Sequence, residues 1–173
     1  MTDHSSFNEP QFDDYAANYD AALAHGVSIS GENKNYFAEG RIAWLASCLR
    51  QLKEQPRRVM DLGCGTGSAS LFLLNLPGVE SVLGIDTSAK SLEVAKQTCS
   101  LEPTKFLLLS QYRPSEQIDL VFCNGVFHHI PVQERPATVD YIYRSLLPGG
   151  CLRFGRTILG IQAPPLCDEP HSI

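Results

Sequence analysis

The chain has no Cys-x-x-Cys pair and no histidine cluster at zinc spacing, so neither a zinc site nor a dithiol redox centre is written into it. Its six cysteines (Cys48, Cys64, Cys99, Cys123, Cys151 and Cys167) are scattered, the pattern of small buried thiols in a reducing compartment. No apolar run approaches the length of a bilayer span, and the opening Met-Thr-Asp-His-Ser-Ser lacks the basic start and apolar core of a secretion signal. These absences predict a cytoplasmic protein with no membrane contact. Basic residues are outnumbered, leaving a formal net charge of −5, which argues against broad electrostatic binding of nucleic acid. Repeats and low-complexity tracts are missing as well. What remains, 173 residues with 43% hydrophobic and 19% charged, is about one globular domain.

Against this background one segment stands out. Val59-Met60-Asp61-Leu62 is an apolar run that feeds a glycine-studded turn, Gly63-Cys64-Gly65-Thr66-Gly67-Ser68. A second run, Val82-Leu83-Gly84-Ile85, ends in the carboxylate of Asp86. Glycines let the backbone approach a ligand, and a carboxylate accepts hydrogen bonds from ribose hydroxyls, so the pair points to an adenosine-type cofactor. A dinucleotide fingerprint needs glycine where Ser68 stands, and a phosphate-cradling P-loop needs a lysine that is not there. An acid just before the first glycine suits a cofactor with a protonated amine and no phosphate. The alternative is a glycine turn that serves chain geometry alone.

Around this motif, strand and helix patterns alternate. A short helix is predicted from Phe12 to about His25, closed by Gly26. Ala38, Ile42, Leu45, Leu49 and Leu52 form one helical stripe with Trp44 beside it, ended by Pro56. Strands are expected over 57–62, 80–86, Thr104–Leu109 and Ile118–Cys123, the last two as runs covered on both faces. Helices are expected over Ser68–Leu76 and from a Ser88 cap to about Cys99, with Leu92 and Ala95 inward and Glu93 and Lys96 exposed. Pro131 is expected to open a helix that turns Val139, Ile142, Tyr143 and Leu146 inward, and Leu147-Pro148-Gly149-Gly150 to lead into a fifth strand. This rhythm implies a Rossmann-like, doubly wound α/β fold with a mostly parallel sheet. Ligands in such sheets bind at the carboxyl ends of the strands, where the glycine loop, Asp86, Ser110-Gln111 and Asn124 all fall.

The motif Asp61-x-Gly63-x-Gly65-x-Gly67 resembles that of the class I S-adenosylmethionine (SAM) methyltransferases. Other segments are similar to the small-molecule branch of that family. Phe12 to Asp20 resembles its N-terminal helix, Asp119 to Pro131 its fourth strand and the following loop, and Leu146 to Gly150 the turn before its fifth strand. The resemblance implies strand order 3-2-1-4-5, an N-terminal helical lid over 1–30, a SAM-binding core over 31–153 and an atypical tail over 154–173. It stops after Arg153, where the family continues with a helix and two more strands. The expectation is therefore a truncated chain with an exposed sheet edge, open to self-association. One set of codons for Phe154 through Ala163, read two bases out of register, gives Trp-Glu-Asn-Asn-Pro-Trp-Asn-Pro-Gly, which resembles the stretch after the fifth strand in relatives. The tail is accordingly read as a frameshift product or a gene-model artefact, which the coding DNA tests.

The resemblance implies SAM as the cofactor and methyl transfer to oxygen, nitrogen or carbon of a small molecule. The alternative is a degenerate domain that holds SAM without catalysis. RNA methylation is disfavoured by the acidity and by the lack of an Asn-Pro-Pro-Tyr-type motif after strand four. Asp61 is assigned to the methionine ammonium, or else to holding the loop; Gly63, Cys64, Gly65 and Gly67 to close backbone approach; and Asp86, with Thr87 beside it, to the ribose hydroxyls. Asn124 either reaches the methionine moiety or makes a turn before Gly125. Gln111, beside Ser110, stands where the family often has an acid contacting adenine. Tyr19, with Tyr15, either closes over the cofactor or packs in the core. His128 and His129 are candidates for a catalytic base or for orienting the acceptor, with helix-start packing as the alternative.

Overall fold

The computed structural model describes residues 34–99, 102–115, 117–154 and 157–159. The expected helix over Phe12–His25, with Tyr15 and Tyr19, and most of the tail lie outside them. Helix α1 (Lys34–Leu52) precedes β1 (Arg58–Leu62), α2 (Ser68–Leu74), β2 (Ser81–Asp86), α3 (Ala89–Thr98) and β3 (Thr104–Leu108). Then follow β4 (Ile118–Cys123), α4 (Arg135–Ser145), β5 (Leu146–Phe154) and a short β6 (Thr157–Leu159). The sheet order is β3-β2-β1-β4-β5-β6: five parallel strands in the predicted 3-2-1-4-5 order, plus β6 antiparallel to β5. β6 pairs with Leu152–Phe154, so that end of β5 is not the open edge expected from the sequence.

The core lies on both faces of the sheet because successive strand residues point to opposite sides. Val59, Val82, Leu120 and Phe122 meet Ile42, Leu45 and Leu49 of α1 and Leu73 of α2 on one face. Met60, Ile85, Val121 and Leu152 meet Ile142 of α4 on the other. A third cluster joins Leu92, Ala95 and Cys99 to Phe106 and Cys64. Leu45 and Leu73 are wholly buried, positions where truncation to alanine typically costs about 2–5 kcal/mol. Ser88 caps α3 by accepting the Ser91 N–H at 3.1 Å, as the sequence predicts.

Several local expectations need correction. Leu52, at the frayed end of the α1 stripe, is 52% exposed. Val139 and Tyr143 face solvent, because only the Ile142 side of α4 reaches the sheet. Pro131 opens a 3₁₀ turn, Val132–Glu134, and the α-helix starts at Arg135 with Pro136 in its first turn. β3 is an edge strand, so of its residues only Phe106 is buried. Leu147–Gly150 lies within β5 as an irregularity in its pairing with β4, not as a turn ahead of it. At the sheet's opposite end, the Asp119 carboxylate accepts the N–H groups of Arg57 (3.1 Å) and Arg58 (2.7 Å), stapling β4 to the entry of β1.

Candidate functional site

Because β1, β2, β3 and β4 are parallel, their last residues, Leu62, Asp86, Leu108 and Cys123, share one edge of the sheet. The glycine loop folds over that edge and is held by β2. The N–H groups of Gly63 and Cys64 donate to the Ile85 carbonyl at 2.7 and 3.1 Å. Gly65 N–H donates to Asp86 Oδ2 at 2.8 Å, and Ser88 N–H to Asp86 Oδ1 at 2.9 Å. Each Asp86 oxygen thus keeps lone-pair capacity beyond the one amide it accepts.

Two glycines do different work. A Cβ on Gly63 (φ +73°) would come 2.1 Å from a methyl of Val126, so this position is closed by the loop after β4. A Cβ on Gly65 (φ +54°) would meet nothing within 4 Å, so the backbone there borders open space beside Asp86. The left-handed backbone alone favours glycine at both. Gly67, also left-handed, is the N-cap residue of α2. The Cys64 side chain is packed among Leu92, Ala95, Cys99 and Phe106, so any cofactor contact from Cys64 falls to its backbone. Burial raises its thiol pKa and pushes that of Cys123 up to about 12, which keeps both neutral.

Asp61 is buried on the α2 side of β1 and accepts the Ser70 hydroxyl at 2.7 Å. Its bond is to a side chain, not to the loop backbone that the sequence reading offered as an alternative. Burial raises its carboxyl to about 7, opposed by the Ser70 bond and reinforced by the charge of Asp86. Thr87 is half-buried between Asp86 and the α3 cap. Gln111 is exposed and turns its Oε1 back to the Leu108 N–H at 3.3 Å, so its carbonyl serves its own 3₁₀ turn.

A cleft of about 990 Å³ opens at the same edge, between the start of α1 and the ends of β4 and β5. Tyr36, Phe37, Arg41 and Trp44 line one wall; Asn124, Gly125 and Arg153 line the other. His128 and His129 do not line it. They sit exposed on the 3₁₀ turn Phe127–His129 with ring centroids 3.9 Å apart. That turn is fixed by Phe127 packing edge-on to Phe154 (4.6 Å) and by Arg135 Nε donating to the Ile130 carbonyl (3.0 Å). Burial, then the neighbouring His128, lowers the His129 pKa. The turn's packing fits the structural role weighed for this pair beside the catalytic one.

The sequence reading missed Ser70, Val126 and Arg153. Only Arg153 carried a signal: a lone arginine in an otherwise apolar strand is rarely buried without a partner or a function.

Comparison with known proteins agrees with this geometry. Residues 59–150 match the family described as "Methyltransferase domain". Trans-aconitate 2-methyltransferase of Rhizobium leguminosarum bv. trifolii is 33% identical over 119 residues, covering 68% of this chain and 42% of that protein. The enzyme of the same name from Methylobacterium nodulans is 30% identical over 135 residues, covering 78% of this chain and 49% of the relative. The chain therefore spans less than half the length of these curated relatives. In fold it is similar to DhpI in its SAH complex (TM-score 0.61, 22% identity, 87% of this chain and 69% of that one). It is also similar to a TehB-like SAM-dependent methyltransferase from Corynebacterium glutamicum (TM-score 0.58, 22% identity, 80% and 70%). With the glycine loop, the acid-ended β2 and the 3-2-1-4-5 sheet, the chain belongs to the class I SAM-dependent methyltransferase family.

Proposed function

We propose that this chain binds SAM along the rim formed by the glycine loop and Asp86, and directs its methyl group to a small-molecule acceptor in the adjacent cleft. The observation that carries the reading is the Gly65–Asp86 pair. The 2.8 Å bond fixes the loop against β2, while the Gly65 Cβ direction stays open next to a carboxylate with lone pairs to spare. Asp86 then accepts the ribose hydroxyls, with Thr87 beside it; Gly65 and the Cys64 backbone allow close approach; Gly63 and Gly67 keep the loop's shape. Asp61 supplies negative charge toward the methionine ammonium, and Asn124, at the cleft, meets the methionine moiety. The Gln111 turn borders the adenine side, where recognition falls to backbone groups. Tyr19, outside the described residues, is assigned to the lid.

When bound, SAM supplies a methyl activated by its sulfonium for in-line displacement. The chain's residues align donor and acceptor and exclude water, effects worth several kcal/mol. Isothermal titration with SAM tests the cofactor half. Asp86→Ala is expected to weaken binding about a hundredfold, roughly 3 kcal/mol, while the fold is retained. A folded chain with no measurable SAM binding sinks the proposal; SAM binding without methyl transfer to any small acid, amine or alcohol in a panel sinks its transfer half.

A further inference from the structure

Arg153 stands on β5 with only 3% of its surface exposed, yet it lines the cleft. Its guanidinium carbon lies 4.7 Å from the Trp44 ring centroid and 5.3 Å from that of Phe122. Those rings offer π faces, but no acceptor for in-plane N–H groups. Among the described residues, Nε and Nη1 of Arg153 are buried without a hydrogen-bond partner. A desolvated cation with unmet donors is costly unless an anion completes it. Glu39 also lines the cleft but is solvent-exposed and makes no described ion pair with Arg153. Burial lowers the Arg153 pKa, opposed by Cys48 and reinforced by the charge of Arg41.

We propose that Arg153 is an anion-binding residue of the acceptor pocket, taking a carboxylate of the methyl acceptor, with Arg41 at the cleft as a secondary contact. The inference rests on the reading of the neighbouring rim as the SAM site. Two guanidiniums offset by Glu39 leave about one positive charge at the cleft, the complement of one carboxylate group. A planar carboxylate also matches the fork of a guanidinium. SAM carries a carboxylate of its own; Arg153 lies two strands from the glycine-loop strand β1, about 10 Å at ordinary strand spacing, and the titration below separates the two carboxylates.

The test titrates the full chain separately with succinate, inorganic phosphate and SAM. Succinate is expected to bind, with affinity falling at least tenfold in Arg153→Gln, about threefold in Arg41→Gln, and partly recovered in Arg153→Lys. SAM affinity is expected to change less than twofold in all three, and phosphate to bind at least tenfold more weakly than succinate. Equal succinate binding by wild type and Arg153→Gln overturns the proposal. If Arg153→Gln does not fold, unchanged succinate affinity in the exposed Arg41→Gln overturns it instead. Loss of SAM affinity with succinate unaffected reassigns the arginine to the cofactor's carboxylate, and phosphate binding more tightly than succinate rejects the carboxylate class. SAM binding without any succinate binding overturns this inference alone and leaves the cofactor reading standing; succinate binding without SAM binding does the reverse.

Discussion

The two halves of the strand-end edge differ in how their polar groups are satisfied. Over β1 and β2, Asp61 is bonded to Ser70, Asp86 to two amides, and the loop's N–H groups to Ile85. Over β4 and β5, Arg153 keeps buried donors without acceptors, and Tyr36, Phe37 and Trp44 expose 58%, 38% and 43% of their surface. The first half is preorganised: its shape is set before any ligand arrives, which lowers the cost of ordering on binding. The second half has free energy to gain from a ligand that brings the missing acceptors.

The contrast can be broken hardest at Asp61. Its folded-state pKa is raised, so the neutral form is favoured by folding and stability is lost as pH rises from about 4 through about 7. The shift corresponds to as much as about 4 kcal/mol. Urea midpoints for the wild type should fall across that window, while Asp61→Asn stays flatter and is the more stable protein at pH 8. The opposite slope would mean that the carboxylate is stabilised as a charge in the fold. Because SAM's ammonium favours the ionised acid, SAM affinity should drop below pH 7 in the wild type only.

Next in size is Gly63→Ala, which adds left-handed strain and drives a methyl into Val126. About 3 kcal/mol of destabilisation is expected by chemical denaturation. Adding Val126→Ala should return part of it, and additivity of the two changes would contradict the contact. Gly65→Ala sharpens the same comparison, since its Cβ meets nothing. Stability should fall by only about 1 kcal/mol, the strain alone, while calorimetry shows SAM affinity reduced tenfold or more. The smallest effect is expected at Trp44→Leu, which removes a cation–π neighbour of Arg153. The cost is about 1 kcal/mol of stability, read from the thermal midpoint, with SAM binding unaffected.

Much of the cofactor half was legible because its signals are local. A strand, a glycine turn and an acid ending the next strand are contiguous patterns, and β4 matches its predicted limits residue for residue. The errors fall where packing between distant segments decides. Val139 and Tyr143 fit the helical period of α4, but a period does not say how wide a face the sheet can cover. For His128 and His129 a catalytic and a packing role were both legible, and Phe127 and Arg135 are what hold their turn, outside the cleft lining.

The amino-acid sequence by itself determined the alternation of elements, the glycine loop and the cofactor class. Hydrophobic period, turn chemistry and motif spacing act over a few residues at a time. Only the tertiary structure decided that Ser70 meets Asp61, that Val126 closes over Gly63, and that α1 brings Trp44 against an arginine on β5. Those contacts join residues from nine to more than a hundred positions apart, and they exist because stacked helices and a parallel sheet bring the ends of separate strands to one edge.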